Sequence, residues 1–187
     1  MDTKLKFSPL TLLLHWLIAV SIIGMCGFGL YMVKTKSFSL FHIHKSFGLL
    51  VFVLAVLRVL WRWKNGFPEP ARPLSRFEHL AALWMHKALL ACTLLMPITG
   101  MLFSGASGHG FGFFGLKIFP ASTQHAANGS VVPNNAALSD LGQNLHDFLG
   151  YALVCLILLH VAAALKHHLV DRDETLSRML GMKVHHE

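Results

Sequence analysis

Four long apolar runs constrain this chain more than any other feature: residues 10–33, 44–63, 80–103 and 145–169 are each long enough to cross a bilayer as a helix. A hydrocarbon core of about 30 Å takes about 20 mostly apolar residues in helical form. Over the whole chain 54% of residues are apolar and 13% charged, too greasy a balance for an ordinary soluble domain. The expectation is an all-α, integral membrane four-helix bundle filling 1–187 as a single domain, with one long connection at 104–144.

The net charge of +7 follows a membrane topology rather than a nucleic-acid surface. Lys4 and Lys6 precede the first run, and Arg58, Arg62, Lys64, Arg72 and Arg76 surround the second connection. Lys166, Arg172, Arg178 and Lys183 follow the fourth run. The first connection has Lys34, Lys36 and Lys45, whereas the long third one has only Lys117. By the positive-inside rule both termini and the second connection are cytoplasmic and 104–144 is outside. The first run is too long for a typical leader, has no obvious small-x-small cleavage site and contains His15 and Trp16, so it is read as a span.

The second connection, through Phe67, Pro68, Glu69, Pro70, Ala71, Arg72 and Pro73, reads as a stiff linker. The third begins Gly-rich and continues through Phe111, Phe113, Phe114, Leu116, Ile118 and Phe119, apolar enough to lie at the interface. Its second half is polar, and a role and disorder both stay open there. Pro97 should bend the third helix, and Gly100 should let something approach it closely. Cys26, Cys92 and Cys155 fall inside runs, odd in number and without metal-type spacing, and read as small core residues.

Histidines carry the chemistry. An ionisable side chain inside a span is costly without a partner, which singles out His15, His44, His86, His146 and His160 of the thirteen. His146 and His160 share a helix fourteen residues apart, about 21 Å of rise and almost four turns, so they point the same way at two depths. The interval recurs as His15 to Gly29, His44 to Arg58 and His86 to Gly100. Antiparallel spans then give an inner level of His15, Arg58, His86 and His160, and an outer level of His44, Gly29, Gly100 and His146.

A haem face lying on a helix needs a small residue one turn beyond its ligand. Ala19, Gly48, Gly150 and Ala164 stand at that position for His15, His44, His146 and His160. His42 competes with His44 but is followed at that spacing by Ser46, and His86 by Leu90. The expected iron ligands are therefore His15 and His160 for an inner haem, and His44 and His146 for an outer one. Two imidazoles fill both axial positions, which suits electron transfer. Arg58 is expected to pair with an inner propionate; for His86 a propionate, a quinone carbonyl and a plain helix contact stay open. His167, His168, His185 and His186 read as a solvated face. No constellation for hydrolytic catalysis stands out, and catalytic residues stay unknown.

These residues resemble the bacterial cytochrome b561 family, related to the b-type cytochrome subunits of nickel hydrogenases. The resemblance covers nearly the whole chain. It is carried by Leu14-His15-Trp16, by His44-Lys45-Ser46-Phe47-Gly48 and by Arg58-Val59-Leu60-Trp61-Arg62. It continues in His146-Asp147-Phe148-Leu149-Gly150, in the run from Leu159-His160 to His167-His168, and in the segment from Asp171-Arg172-Asp173 to Met179. The resemblance implies a multi-pass protein of the bacterial inner (plasma) membrane with two haem b. It implies exchange of electrons with quinone, ubiquinone above all, and within the family superoxide oxidation coupled to ubiquinone reduction is attributed to some members. The expected function is electron transfer between a periplasmic one-electron donor, superoxide being the candidate, and the quinone pool. The alternative is a membrane anchor and electron-relay subunit for a separate oxidoreductase. Expected partners are membrane lipid, quinone and that donor or oxidoreductase, with no nucleic acid.

Overall fold

The computed structural model describes residues 2, 6–66, 70 and 72–182. Lys4, Lys183, His185, His186 and the linker residues Phe67, Pro68, Glu69 and Ala71 lie outside the described residues. The order of elements is α1 (Pro9–Thr35), a short 3-10 turn, α2 (Phe41–Asn65), α3 (Arg76–Ala106), a hairpin of β1 (Phe111–Phe113) and β2 (Leu116–Phe119), α4 (Ala136–Leu169) and a short α5 (Thr175–Met179). The protein is a helical membrane bundle, its four long helices apolar enough to span.

Local chemistry sets the helix ends. α1 starts at Pro9, whose missing N–H costs nothing there, beneath Ser8, whose Oγ accepts from Thr11 N at 3.3 Å. α3 opens on a capping box in which Ser75 Oγ accepts from Glu78 N and Glu78 Oε2 accepts from Ser75 N. That box moves its start four residues ahead of the apolar run. α4 begins at Ala136 under an Asn135 cap, nine residues before its apolar run, so the third connection narrows to 107–135. α3 continues through Pro97 as one helix.

α3 packs most extensively against α4, α1 against α2 and α2 against α3, whereas α1 and α4 meet only briefly. The core is small: Ile18, Ile22, Val51 and Leu153, with Met25, Leu54, Leu89, Cys92, Met96 and Ile157 around them. Ile22, Val51, Thr93 and Leu153 are all buried, and each lies seven residues from both histidine levels on its own helix. A packed layer therefore separates the two levels. Cys26 and Cys92 pack on this core, but Cys155 is exposed, against the expectation of a core residue, because it faces outward from α4.

At one end the start of α1 and the residues before it close on α5. Trp16 Nε1 donates to Met179 O at 2.8 Å, and the Arg178 guanidinium lies 4.4 Å above the Phe7 ring. Asp2 accepts from Thr11 Oγ1 and pairs with Arg62 at 3.1 Å. At the other end the hairpin sits on α2: Lys45 Nζ donates to Gly110 O at 2.8 Å, and Phe114 N donates to Ser46 Oγ at 3.0 Å. The polar half of this connection is ordered by bonds back to the α3 end, Asn134 Nδ2 to Gly105 O at 2.9 Å and Asn135 N to Ala106 O at 3.0 Å.

Candidate haem sites between the helices

At the outer level α2 presents His44 towards His146 of α4, with ring centroids 6.2 Å apart and planes at 79°. His44 Nδ1 is buried and has no hydrogen-bond partner among the described residues. Such an atom is costly unless something else satisfies it. The His146 ring lies against α3, its Nδ1 3.0 Å from Met96 O and 3.3 Å from Thr99 Oγ1. Because Met96 O can only accept, Nδ1 carries the proton, and Nε2 keeps its lone pair for a metal. Gly100 makes this approach feasible: a Cβ there would stand 2.9 Å from His146 Cε1. Gly29 of α1 faces the His44 ring at an ordinary contact distance. His42 instead turns outward, its Nδ1 2.7 Å from Ser39 O.

The inner level brings together His15, Arg58, His86 and His160. His15 and His160 face each other with centroids 6.4 Å apart and planes at 58°. Arg58 Nη2 donates to His15 Nδ1 at 3.1 Å. His86 meets His160 edge-on at 5.4 Å and donates from Nδ1 to Ala82 O at 2.7 Å.

Whether these rings suit an iron can be judged by length. An imidazole nitrogen bonds a first-row metal at about 2 Å and lies roughly 1.1 Å from its ring centre, so two rings opposed on one iron have centroids roughly 6 Å apart. The pairs at 6.2 and 6.4 Å match that separation, and the His86–His160 contact at 5.4 Å is short of it. On α2 and α4 of the outer level, the nearest atoms to a Cβ at Gly48 and Gly150 are the methyl ends of Met25 and Met96, flexible side chains that can adapt to a flat ligand.

Residues 6–182 match the family profile described as prokaryotic cytochrome b561. The chain belongs to the prokaryotic cytochrome b561 family. Cytochrome b561 homolog 2 of Escherichia coli (strain K12) is 34% identical over 185 residues, spanning 96% of this chain and 94% of the relative. Cytochrome b561 homolog 1 of the same organism is 27% identical over 180 residues, spanning 94% and 97%. A protein of Yersinia pestis named probable superoxide oxidase CybB is 28% identical over 185 residues, spanning 95% and 97%. As a cytochrome b561 this is a bacterial inner-membrane protein that binds b-type haem and transfers electrons.

Some groups in this cytochrome escaped sequence reasoning. Met96 O and Thr99 hold His146, and no pattern announces which backbone carbonyl will face a neighbouring ring. Near the chain end His167, Asp171 and Asp173 bring ligand atoms within 4.8 Å of one another. Arg72 and Lys166 occupy those carboxylates at 3.1, 3.3 and 2.8 Å, which makes the cluster an ion-pair network rather than an open cation site. His167, read as solvated, is a member of it through Asp173 at 2.7 Å.

Proposed function

We propose that the 187 residues form one cytochrome domain holding two haem b, the inner between His15 and His160 and the outer between His44 and His146. The supporting observation is the pair of facing imidazoles at 6.4 and 6.2 Å, repeated at two levels fourteen residues apart on α4. When bound, haem b would supply a one-electron couple, its iron held by these histidines. The chain's part is to hold the imidazoles, keep the space between them free of water and set the charge around each level. Met96 O fixes the tautomer of His146, and Arg58 offers its guanidinium to the inner level.

The protein carries electrons from a periplasmic one-electron donor to the quinone pool, with both termini cytoplasmic. The name of the Yersinia pestis relative makes superoxide the donor of choice. The balance is simple: two superoxide anions each give up one electron and leave as dioxygen, and a quinone takes two electrons and two protons. Lys34, Lys36 and Lys117 lie at the hairpin end of the bundle, where positive charge steers an anion.

Purified protein should contain two haems per chain, and it should oxidise superoxide when ubiquinone is present and no other protein is added. His160→Ala should lose the inner haem and keep the outer, and His146→Ala the reverse, each halving haem content. Equal loss of both in either variant would contradict the two-level assignment. Two intact haems that stay inert towards superoxide until a partner oxidoreductase is supplied would replace the self-sufficient reading by that of a relay subunit.

A further inference from the structure

The two levels are alike in having one facing pair of histidines and unlike in their charge. Of the four apolar runs only the fourth contains a carboxylate, Asp147, and it stands at the outer level beside His146. Lys45 stands beside His44 at the same level, so the outer charges are of opposite sign. At the inner level Arg58 lies on the His15 ring at 3.1 Å, and among the described residues no carboxylate pairs with it. Arg62, one turn further, is compensated by Asp2 at 3.1 Å, and Lys87, next to His86, turns away over the Trp84 ring.

From this asymmetry we infer that Arg58 makes the inner haem the more easily reduced of the two and so gives electron flow its direction, from the outer face inward. The inference rests on the two-haem reading above. Reduction adds one electron and no proton at the iron, and a nearby cation in a medium of low polarity favours the more negative state. The guanidinium cannot lose its charge under ordinary conditions. Each haem b brings the same two propionates, so their charges cancel in a comparison of the levels, and Arg58 remains as the difference. Arg58 can donate to His15 Nδ1 only while that nitrogen lacks a proton; with Nε2 of His15 on iron, Nδ1 would carry the proton and the guanidinium would turn to a propionate, its charge staying at the same level in both arrangements. Arg58 is thus a positioning residue for charge: it would act on the haem through its field.

The test is an anaerobic spectroelectrochemical titration of the haem-loaded protein in lipid nanodiscs. The wild-type chain should show two one-electron waves, the higher one surviving in His146→Ala and the lower in His160→Ala. Arg58→Gln should lower the upper wave by about tenfold in the reduction equilibrium, about 59 mV for one electron, and leave the lower wave in place. Arg58→Met is a second neutral variant of similar length. Asp2→Asn leaves Arg58 intact and frees the charge of Arg62, which acts on His15 through space, so it should raise the upper wave alone. Waves that stay put in all three variants, or a shift confined to the wave that survives in His160→Ala, would overturn the inference while leaving two haems in place. A single haem per wild-type chain would overturn the two-haem reading, and the inference with it.

Discussion

The ring of His146 is held from two sides, by hydrogen bonding to Met96 O and by the bare backbone of Gly100. A methyl group at Gly100 would meet Cε1 at 2.9 Å and Nδ1 at 3.2 Å, and the ring has no flexible end with which to yield. Alanine in place of glycine ordinarily stabilises a helix interior by about 1 kcal/mol, so a loss at this position isolates the steric effect. Gly100→Ala should therefore weaken the outer haem site, seen as faster loss of half the haem to apomyoglobin. Gly24→Ala, where a Cβ meets nothing within 4 Å, should keep both haems and match or exceed wild-type thermal stability. Equal haem retention in both variants would show that the His146 ring does not depend on Gly100. The sequence exposed the glycine because it stands fourteen residues from His86. It did not expose Met96, because a backbone carbonyl has no residue type.

Elements were legible where hydrophobicity alone defines them and less so where they leave the bilayer. The apolar runs located all four helices, yet α4 begins nine residues ahead of its run because Ser139 and Gly142 are buried where α4 crosses α3. A Cβ at Gly142 would come within 2.7 Å of Phe103 N, so the two backbones nearly touch. That contact lies outside any hydropathy pattern. The connection at the inner end is similar: Arg72 bonds Glu78, Asp171 and Asp173, tying the linker before α3 to the corner after α4. The hydrogen bond from Lys166, and with it Arg72, holds the Asp171 carboxyl below its usual range. Burial pushes the Asp173 carboxyl up, but bonds from Thr175 and His167 outweigh it and leave it lowered. The Ser75 N–H holds Glu78 low. Groups with depressed folded values contribute stability that is full above the usual carboxylate value near 4 and is lost as pH falls through the folded values. Hydrogen exchange at 72–78 and 171–179, corrected for intrinsic rates, should be steady from about pH 7 to 5 and accelerate below about pH 4. Arg72→Gln should raise exchange in both segments already at neutral pH. Protection that persists unchanged in strong acid would show that the network does not hold this corner.

At the scale of the whole molecule, two features define what the bundle can do: what separates its two histidine levels and which end is basic. Ile22, Val51, Thr93 and Leu153 are buried midway between the histidine levels, so a packed layer stands between the two pairs. The interval that generates the levels was visible in the sequence, but the packing that separates them was not, since it depends on which of many similar leucines and valines point inward. Orientation follows from charge. Arg58, Arg62, Lys64, Arg72 and Arg76 gather at the end where α5 meets the start of α1, and the hairpin end carries Lys34, Lys36, Lys45 and Lys117 with the connection of 107–135. The stronger basic cluster belongs in the cytoplasm. In a chain with Cys26, Cys92 and Cys155 changed to alanine, Lys36→Cys should react with a membrane-impermeant maleimide added to spheroplasts. Asn65→Cys, at the last residue of α2, should react only after the membrane is opened. The reverse pattern would turn the protein over, place the His44–His146 pair on the cytoplasmic side and reverse the direction in which a potential step at Arg58 drives electrons.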